Sequence, residues 1–340
     1  MSGWNPSPAL PALLETPLAR ALAERIRKEG PLTVDAYMEA CNSYYYATRD
    51  PLGAAGDFVT APEIHQMFGE LVGAALGDVW IRAGKPTDAV YAELGPGRGT
   101  LANDALRVLR RAGFDGEVHL VETSPALREA QAKLLPEAIF HDDLGTLPKS
   151  PLLLAANEFF DALPVRQFVD DRERHVILAA GGFAFDRDGP IVERSPARVE
   201  AIGTLSKQLA VCGGAAIIID YGYADNETGD TLQAVRGHRF SYVLDHPGEQ
   251  DLTAHVDFAS LGDAARGAGA TASRIVSQGT WLETLGIAAR AMALAAKNPQ
   301  DTESISAARR RLCDEGEMGR LFKVMAIRAP SWPDVAGLES

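Results

Sequence analysis

Apolar residues recur at helical spacing at the start of the chain. Leu10, Leu13, Leu14, Leu18, Ala21, Leu22 and Ile26 fall on one stripe, which Gly30-Pro31 ends. Thr33 then reads as the N-cap of a helix over Val34–Ser43. Gly53–Thr60 has loop composition, and Ala61-Pro62-Glu63 predicts a helix through Trp80, since proline suits a first turn. Gly84-Lys85-Pro86 closes this helical region, residues 8–86. From 88 onward the pattern alternates strand and helix. Strands are predicted at Asp88–Glu93, Glu117–Glu122, Ala138–Phe140, Leu152–Ala156, Ala215–Asp220, Ala272–Val276 and Leu321–Ile327. Helices are predicted at Thr100–Ala112 and Pro125–Leu135. Leu152–Ala156 is wholly apolar, as a buried parallel strand demands. The fold expected is α/β, a Rossmann-like, seven-stranded doubly wound sheet. Two insertions interrupt it. Residues 166–187 suggest a hairpin around Gly181-Gly182, and residues 222–257 look loop-like. The tail beyond Pro330 is expected to fray.

The most informative stretch is Val90–Leu101, where a strand ends in Glu93 and a tight glycine loop leads into a helix near Thr100. Gly95, Gly97 and Gly99 are spaced G-x-G-x-G, whereas a dinucleotide site wants G-x-G-x-x-G, and Thr100 stands where the last glycine belongs. A pyrophosphate needs backbone amides at a helix start. A sulfonium cofactor has no phosphate, so its loop only has to let backbone pass close to a ribose and a methionine moiety. That favours S-adenosyl-L-methionine over NAD.

Composition narrows the class. A net charge of −13 argues against non-specific nucleic-acid binding, which needs an excess of Lys and Arg. Cys41, Cys212 and Cys313 are scattered without a C-x-x-C, so neither a metal site nor a disulfide framework is signalled, and a reducing compartment follows. Met1–Leu14 lacks the order of a signal peptide, and no run approaches the roughly 18 apolar residues of a membrane span. A cytoplasmic protein is expected.

Ligands of such sheets sit outside the carboxyl ends of the strands. Glu122 ends the second strand, where an acid accepts both hydroxyls of a ribose. Asp142-Asp143-Leu144 follows the third, with a carboxylate and an amide for an adenine edge, or else as a turn or helix cap. Asn157-Glu158-Phe159-Phe160-Asp161-Ala162-Leu163-Pro164 follows the fourth, where a methyl acceptor would meet the sulfonium. Glu158 and Asp161 are three apart and share a face on a helical turn, so together they suit a guanidinium fork. The alternative is an Asn157 helix cap with acids that favour the helix dipole. His255, between Asp251 and Asp257, is a candidate to take a released proton, or else a surface residue beside helix caps. Gly56–Glu63, with Thr60 and Pro62, is a candidate lid over the cofactor or else a plain linker, and Tyr44-Tyr45-Tyr46 reads as packing.

Taken together these blocks resemble the MidA-like family of class I S-adenosylmethionine-dependent methyltransferases. The resemblance rests on GDFVTAPEIHQMFGE (56–70), ELGPGRGTL (93–101), ETSP (122–125), NEFFDALPV (157–165), IDYG (219–222), DTLQA (230–234), DLTAHVDF (251–258) and MGRLFKV (318–324). It implies a helical N-terminal region with a lid (1–87), a methyltransferase domain (88–330) and a tail (331–340). It also implies methylation of an arginine in a core subunit of respiratory complex I during assembly, as the family's mitochondrial members do. The missing transit peptide points to a bacterial member. A non-catalytic assembly chaperone and a small-molecule methyltransferase are the rival functions. The cofactor set expected is Thr60, Pro62, Glu93, Gly95, Pro96, Gly97, Gly99, Thr100, Glu122, Ser124, Asp142, Asp143, Leu144 and Asn157. Glu158, Asp161 and His255 are the expected catalytic residues.

Overall fold

The computed structural model describes residues 16–48, 60–225, 229–237 and 239–339. The start of the first helical stripe and the lid segment Gly56–Val59 lie outside them.

A central sheet carries the fold. Its strands are β1 (Val90–Leu94), β2 (Val118–Val121), β3 (Ile139–His141), β4 (Leu152–Asn157), β5 (Gly214–Tyr223), β6 (Thr271–Ala272) and β7 (Phe322–Arg328). They lie in the order β3-β2-β1-β4-β5-β7-β6. β3, β2, β1, β4 and β5 are mutually parallel, with Leu94 opposite Ala156 and Asn157 opposite Ile219. β7 runs antiparallel between β5 and β6. The sheet is the doubly wound one expected. Its edge differs in one respect: the predicted strand Ala272–Val276 is two short pieces, β6 and Val276–Ser277, both paired with β7.

Period-two alternation divides the sheet between two cores. Tyr91, Leu153, Ala155, Ile217, Ile219 and Val324 face one core; Val90, Ala92, Leu154, Ala156, Ile218 and Met325 face the other. The first core takes in α3 (Ala61–Ile64), α4 (Met67–Arg82) and α5 (Thr100–Arg111). Gly73 lets α4 and α5 touch: a Cβ there would stand 2.5 Å from the Ala105 carbonyl oxygen. The second core is covered by α7 (Pro196–Cys212) and α8 (Phe258–Gly267), while α6 (Pro125–Leu134) links β2 to β3.

A third core joins segments remote in sequence. It contains Leu22, Ile26 and Met38 of α1 (Pro17–Glu29) and α2 (Val34–Thr48), Val176 of the hairpin, and Leu232, Ala234, Leu252 and Ala254. The N-terminal helices and both insertions therefore pack as one layer, whereas α4 belongs to the sheet's own core.

Several expectations are corrected. Residues 222–257 are not loop-like: Gln233–Arg236 pairs with Arg239–Ser241 on one side and Asp251–Thr253 on the other. Leu32–Thr33 is a short strand against Val176 and His175 that leads straight into the helix, which starts at Val34 as expected but runs on to Thr48 through the tyrosines. The helix from Ala61 does not continue to Trp80. It stops at Ile64, His65 is extended, and its Nδ1 accepts from Met67 N as α4 begins. The tail does not fray. Val335 and Leu338 are fully buried, and Trp281 Nε1 donates to the Ala336 carbonyl at 3.1 Å.

Because Leu338 fills part of the first core, Leu338→Ala should lower the unfolding free energy by about 2–5 kcal/mol in urea titrations. A change of a few tenths would show the tail to be dispensable.

Candidate functional site

The carboxyl ends of β1 to β5 open into one cleft of about 1490 Å³. Its roof is the third core's layer: Asn42 and Tyr46 of α2, with Gln233, Asp251 and Thr253 of the insertion, all line it.

The glycine loop turns as sharply as its composition demands. Gly95, Gly97 and Gly99 all have positive φ, of 59°, 55° and 86°. At Gly95 a side chain would be both strained and 3.2 Å from the Phe159 ring. Gly95, Pro96, Gly97 and Thr100 line the cleft; Gly99 does not, and instead caps α5 over Gln131. Glu93 lies beneath the loop, 2% exposed, its Oε2 accepting from the Tyr91 hydroxyl at 2.6 Å. Burial pushes its carboxyl up to about 8.

Glu122 ends β2 in the cleft wall. Its Oε1 accepts from Ser124 N at 2.8 Å, and burial raises its pKa. Gln131, on α6 and fully buried, donates to the Gly97 carbonyl at 2.6 Å and faces Glu122 Oε2 at 3.4 Å. It ties the loop to the acid. Sequence reasoning missed it, since a glutamine within a helix carries no motif. Ser124 lines the cleft and caps α6. Asp142, Asp143 and Leu144 also line it. Asp142 is exposed and ion-paired to Arg128 at 2.6 Å, whereas Asp143 accepts from Gly145 N at 2.5 Å as the cap of a single turn of 3₁₀ helix. Thr60 and Pro62, at the start of α3, complete this end.

The segment after β4 is a tight turn, not the helical start weighed for it. Glu158 has φ 53°, a left-handed backbone that bulky residues rarely adopt. Its Oε1 accepts from Asn157 Nδ2 at 3.0 Å, and burial raises its carboxyl to about 8, with Asp161 adding repulsion. Asp161 is also buried and raised, chiefly by desolvation, with the Tyr221 hydroxyl bonded to it. Both carboxylates line the cleft, so the pairing expected of them holds in space although the helix does not. Asn157 Oδ1 is buried there with no hydrogen-bond partner, an acceptor left for a ligand.

Two further groups hold this turn. Asp220 Oδ2, at the end of β5, accepts from Phe160 N at 2.9 Å and Asp161 N at 3.2 Å. Arg198, on α7 and 5% exposed, donates to the carbonyls of Phe160 (2.7 Å), Asp161 (3.2 Å), Ala254 (2.8 Å) and His255 (2.7 Å). It thus joins the two blocks that carry Glu158, Asp161 and His255. His255 lines the cleft with its ring edge-on to Tyr221, and its amide donates to Thr231 Oγ1 at 2.9 Å. Gly222 lets the short strand Val256–Asp257, just beyond His255, pair in parallel with β5: a Cβ there would stand 2.0 Å from the Val256 carbonyl oxygen. Asp257 caps α8, as the plainer expectation had it, and Asp251 accepts from the Tyr46 hydroxyl at 2.7 Å.

Among the described residues no group of His, Cys, Asp and Glu forms a metal site, and no helix is long and apolar enough to cross a membrane.

Comparison with known proteins bears on this cleft. A family model described as an S-adenosyl-L-methionine-dependent methyltransferase matches residues 71–190 and 177–276. Protein arginine methyltransferase NDUFAF7 of Bos taurus mitochondria is 35% identical over 92% of this chain and 83% of its own. The Drosophila melanogaster homologue is 34% identical over 91% and 84%. A crystal structure of a COG1565 superfamily member from Burkholderia thailandensis, bound to S-adenosyl-homocysteine, superposes with a TM-score of 0.83 at 28% identity, covering 98% of this chain and 97% of that one.

If Glu122 accepts from the ribose of the cofactor, Glu122→Ala should weaken S-adenosyl-homocysteine binding by about tenfold to a hundredfold in calorimetry, the loss of one charged hydrogen-bond acceptor. Unaltered affinity would remove Glu122 from the cofactor site.

Proposed function

This chain belongs to the MidA-like family of S-adenosyl-L-methionine-dependent methyltransferases, and from that premise we propose that its acceptor is an arginine side chain of a protein. One observation carries the proposal: half-buried Glu158 and buried Asp161 line the cleft wall close enough to repel each other, and among the described residues no salt bridge reaches either. Two desolvated acids that repel each other, with only the Arg198 charge behind Asp161 to offset them, favour a cation between them. A guanidinium supplies it with a planar fork of donors. The names of the mitochondrial relatives agree.

The residues fit the cofactor. Gly95 and Gly97, both at positive φ in the cleft wall, suit a close approach of the cofactor, and we assign Glu93 to its amine and Glu122 to its ribose. S-adenosyl-L-methionine, when bound, supplies an electrophilic methyl group. The chain supplies alignment, the main demand of an in-line displacement. Glu158 and Asp161 hold the guanidinium and draw its positive charge toward the nitrogens they face, which leaves the remaining nitrogen a better nucleophile. That nitrogen sheds one proton, and His255, in the same cleft, is the acceptor we assign for it. We further assign the acceptor protein as a core subunit of respiratory complex I, methylated in the cytoplasm. The blocks shared with the assembly-factor family support this.

Glu158→Gln should cut transfer of tritiated methyl to protein by about a hundredfold or more, while S-adenosyl-homocysteine affinity stays within about twofold. Label found only on small molecules would sink the protein acceptor. The same substitution has a second signature. Glu93 and Glu158 titrate near 8 rather than 4.5, so between those values the native state holds more protons than the unfolded chain. Their stabilisation is complete below about pH 4.5 and drains as pH rises through about 8. Urea titrations from about pH 5 to 8 should therefore show a fall in stability that is shallower in Glu158→Gln.

A further inference from the structure

The cleft is larger than a cofactor requires. Its volume of about 1490 Å³ exceeds the ~300–1,000 Å³ of pockets that enclose one small molecule. The excess runs past Glu158 and Asp161 along Ala162, Leu163 and Pro164, which are half-buried. On one side stands α2, whose Asn42 donates to the Ala162 carbonyl at 3.1 Å. On the other stands α7, whose cap Ser195 donates to the Pro164 carbonyl at 2.6 Å.

The charge of this groove is far more one-sided than that of the chain. Asp and Glu outnumber Lys and Arg 46 to 33 overall. Among the described residues lining the cleft there are eleven carboxylates, and Arg98 alone of Lys and Arg. Most of these acids have structural partners or sit at the cofactor end. Glu39 on α2 and Glu200 on α7 do neither: both are exposed in the groove and ion-paired to no described residue. The unpartnered Asn157 Oδ1, 8% exposed as a residue, is an independent sign that the deep end awaits a donor.

We propose that the groove takes an extended cationic segment of a protein, with Glu39 and Glu200 engaging Lys or Arg residues that flank the arginine held by Glu158 and Asp161. This rests on the arginine acceptor proposed above, and adds a requirement on its neighbours. The half-buried floor lets the flanking backbone pass, and acids on α2 and α7, the two helices tied to that floor at Ala162 and Pro164, suit cations that flank the target.

The test uses two fluorescein-labelled peptides, Gly-Lys-Gly-Arg-Gly-Lys-Gly and the same peptide with both lysines replaced by norleucine. Each is titrated by anisotropy against the full chain saturated with S-adenosyl-homocysteine. The lysine peptide should bind about tenfold more tightly, the sum of two partly exposed ion pairs. In the double variant Glu39→Gln, Glu200→Gln the preference should fall below about twofold. Retained S-adenosyl-homocysteine affinity certifies the fold of that variant. Equal affinities in the native protein would overturn the proposal. So would a preference that survives the double substitution, because it would then stem from the overall charge of −13. Methyl transfer to the same peptides separates the two ideas. Charge-dependent binding without label defeats the arginine acceptor and leaves the groove, whereas label indifferent to the flanks defeats the groove and leaves the arginine.

Discussion

Arg198 is a cation placed out of reach of water, and the site depends on how that charge is satisfied. Burying a guanidinium costs several kcal/mol unless its donors are matched. Here four carbonyl oxygens from two turns converge on it, and Asp220 and Asp161 add an opposing field. Neither turn can drift without stranding one of those donors. Asp220 holds the first turn from the opposite side through two amides. The pair of acids offered to the acceptor is thus fixed by backbone bonds, and each carboxylate keeps acceptor capacity beyond the bonds from Asn157 and Tyr221.

The acids themselves are held in an unfavourable setting. Glu93, Glu158 and Asp161 are all raised by desolvation. Glu158 also bears a left-handed backbone that a glutamate does not choose. A cation bound in the cleft would offset the desolvation by restoring the charged form, whereas the backbone strain is carried by the surrounding fold. The energy is recovered elsewhere, in a sheet whose central strands β1, β4 and β5 are buried on both faces.

Much of this was legible in the sequence, and what escaped has physical causes. Val90–Leu94, Leu152–Asn157 and Gly214–Tyr223 announce themselves because parallel strands buried on both faces are near-continuous apolar runs, broken here only toward their carboxyl ends by Glu93, Asn157 and Asp220. The glycine loop and the acids at strand ends were readable because their chemistry allows few substitutes. The insertion sheet was not, since strands of three or four residues between Gly, Asp and His carry too few alternations to show a period. Gln131 and Arg198 were invisible for another reason. Each acts on residues distant in the chain, and its own neighbours give no hint. Gly99 was misplaced because one spacing serves two duties, contact with a ligand and the opening of a helix.

The roof of the cleft is stitched from far ends of the polypeptide. Thr16 reaches the carbonyl of Pro247, and Asn42 exchanges hydrogen bonds with Leu252, across separations of 231 and 210 residues. Closing such long loops is slow, because the entropy is lost before the contacts form. On the ribosome the apolar stripes of α1 and α2 therefore emerge first and must wait, uncovered, until about two hundred further residues have been made. The nascent chain is most exposed to chaperones and proteases in that interval, and the cofactor cleft acquires its cover last.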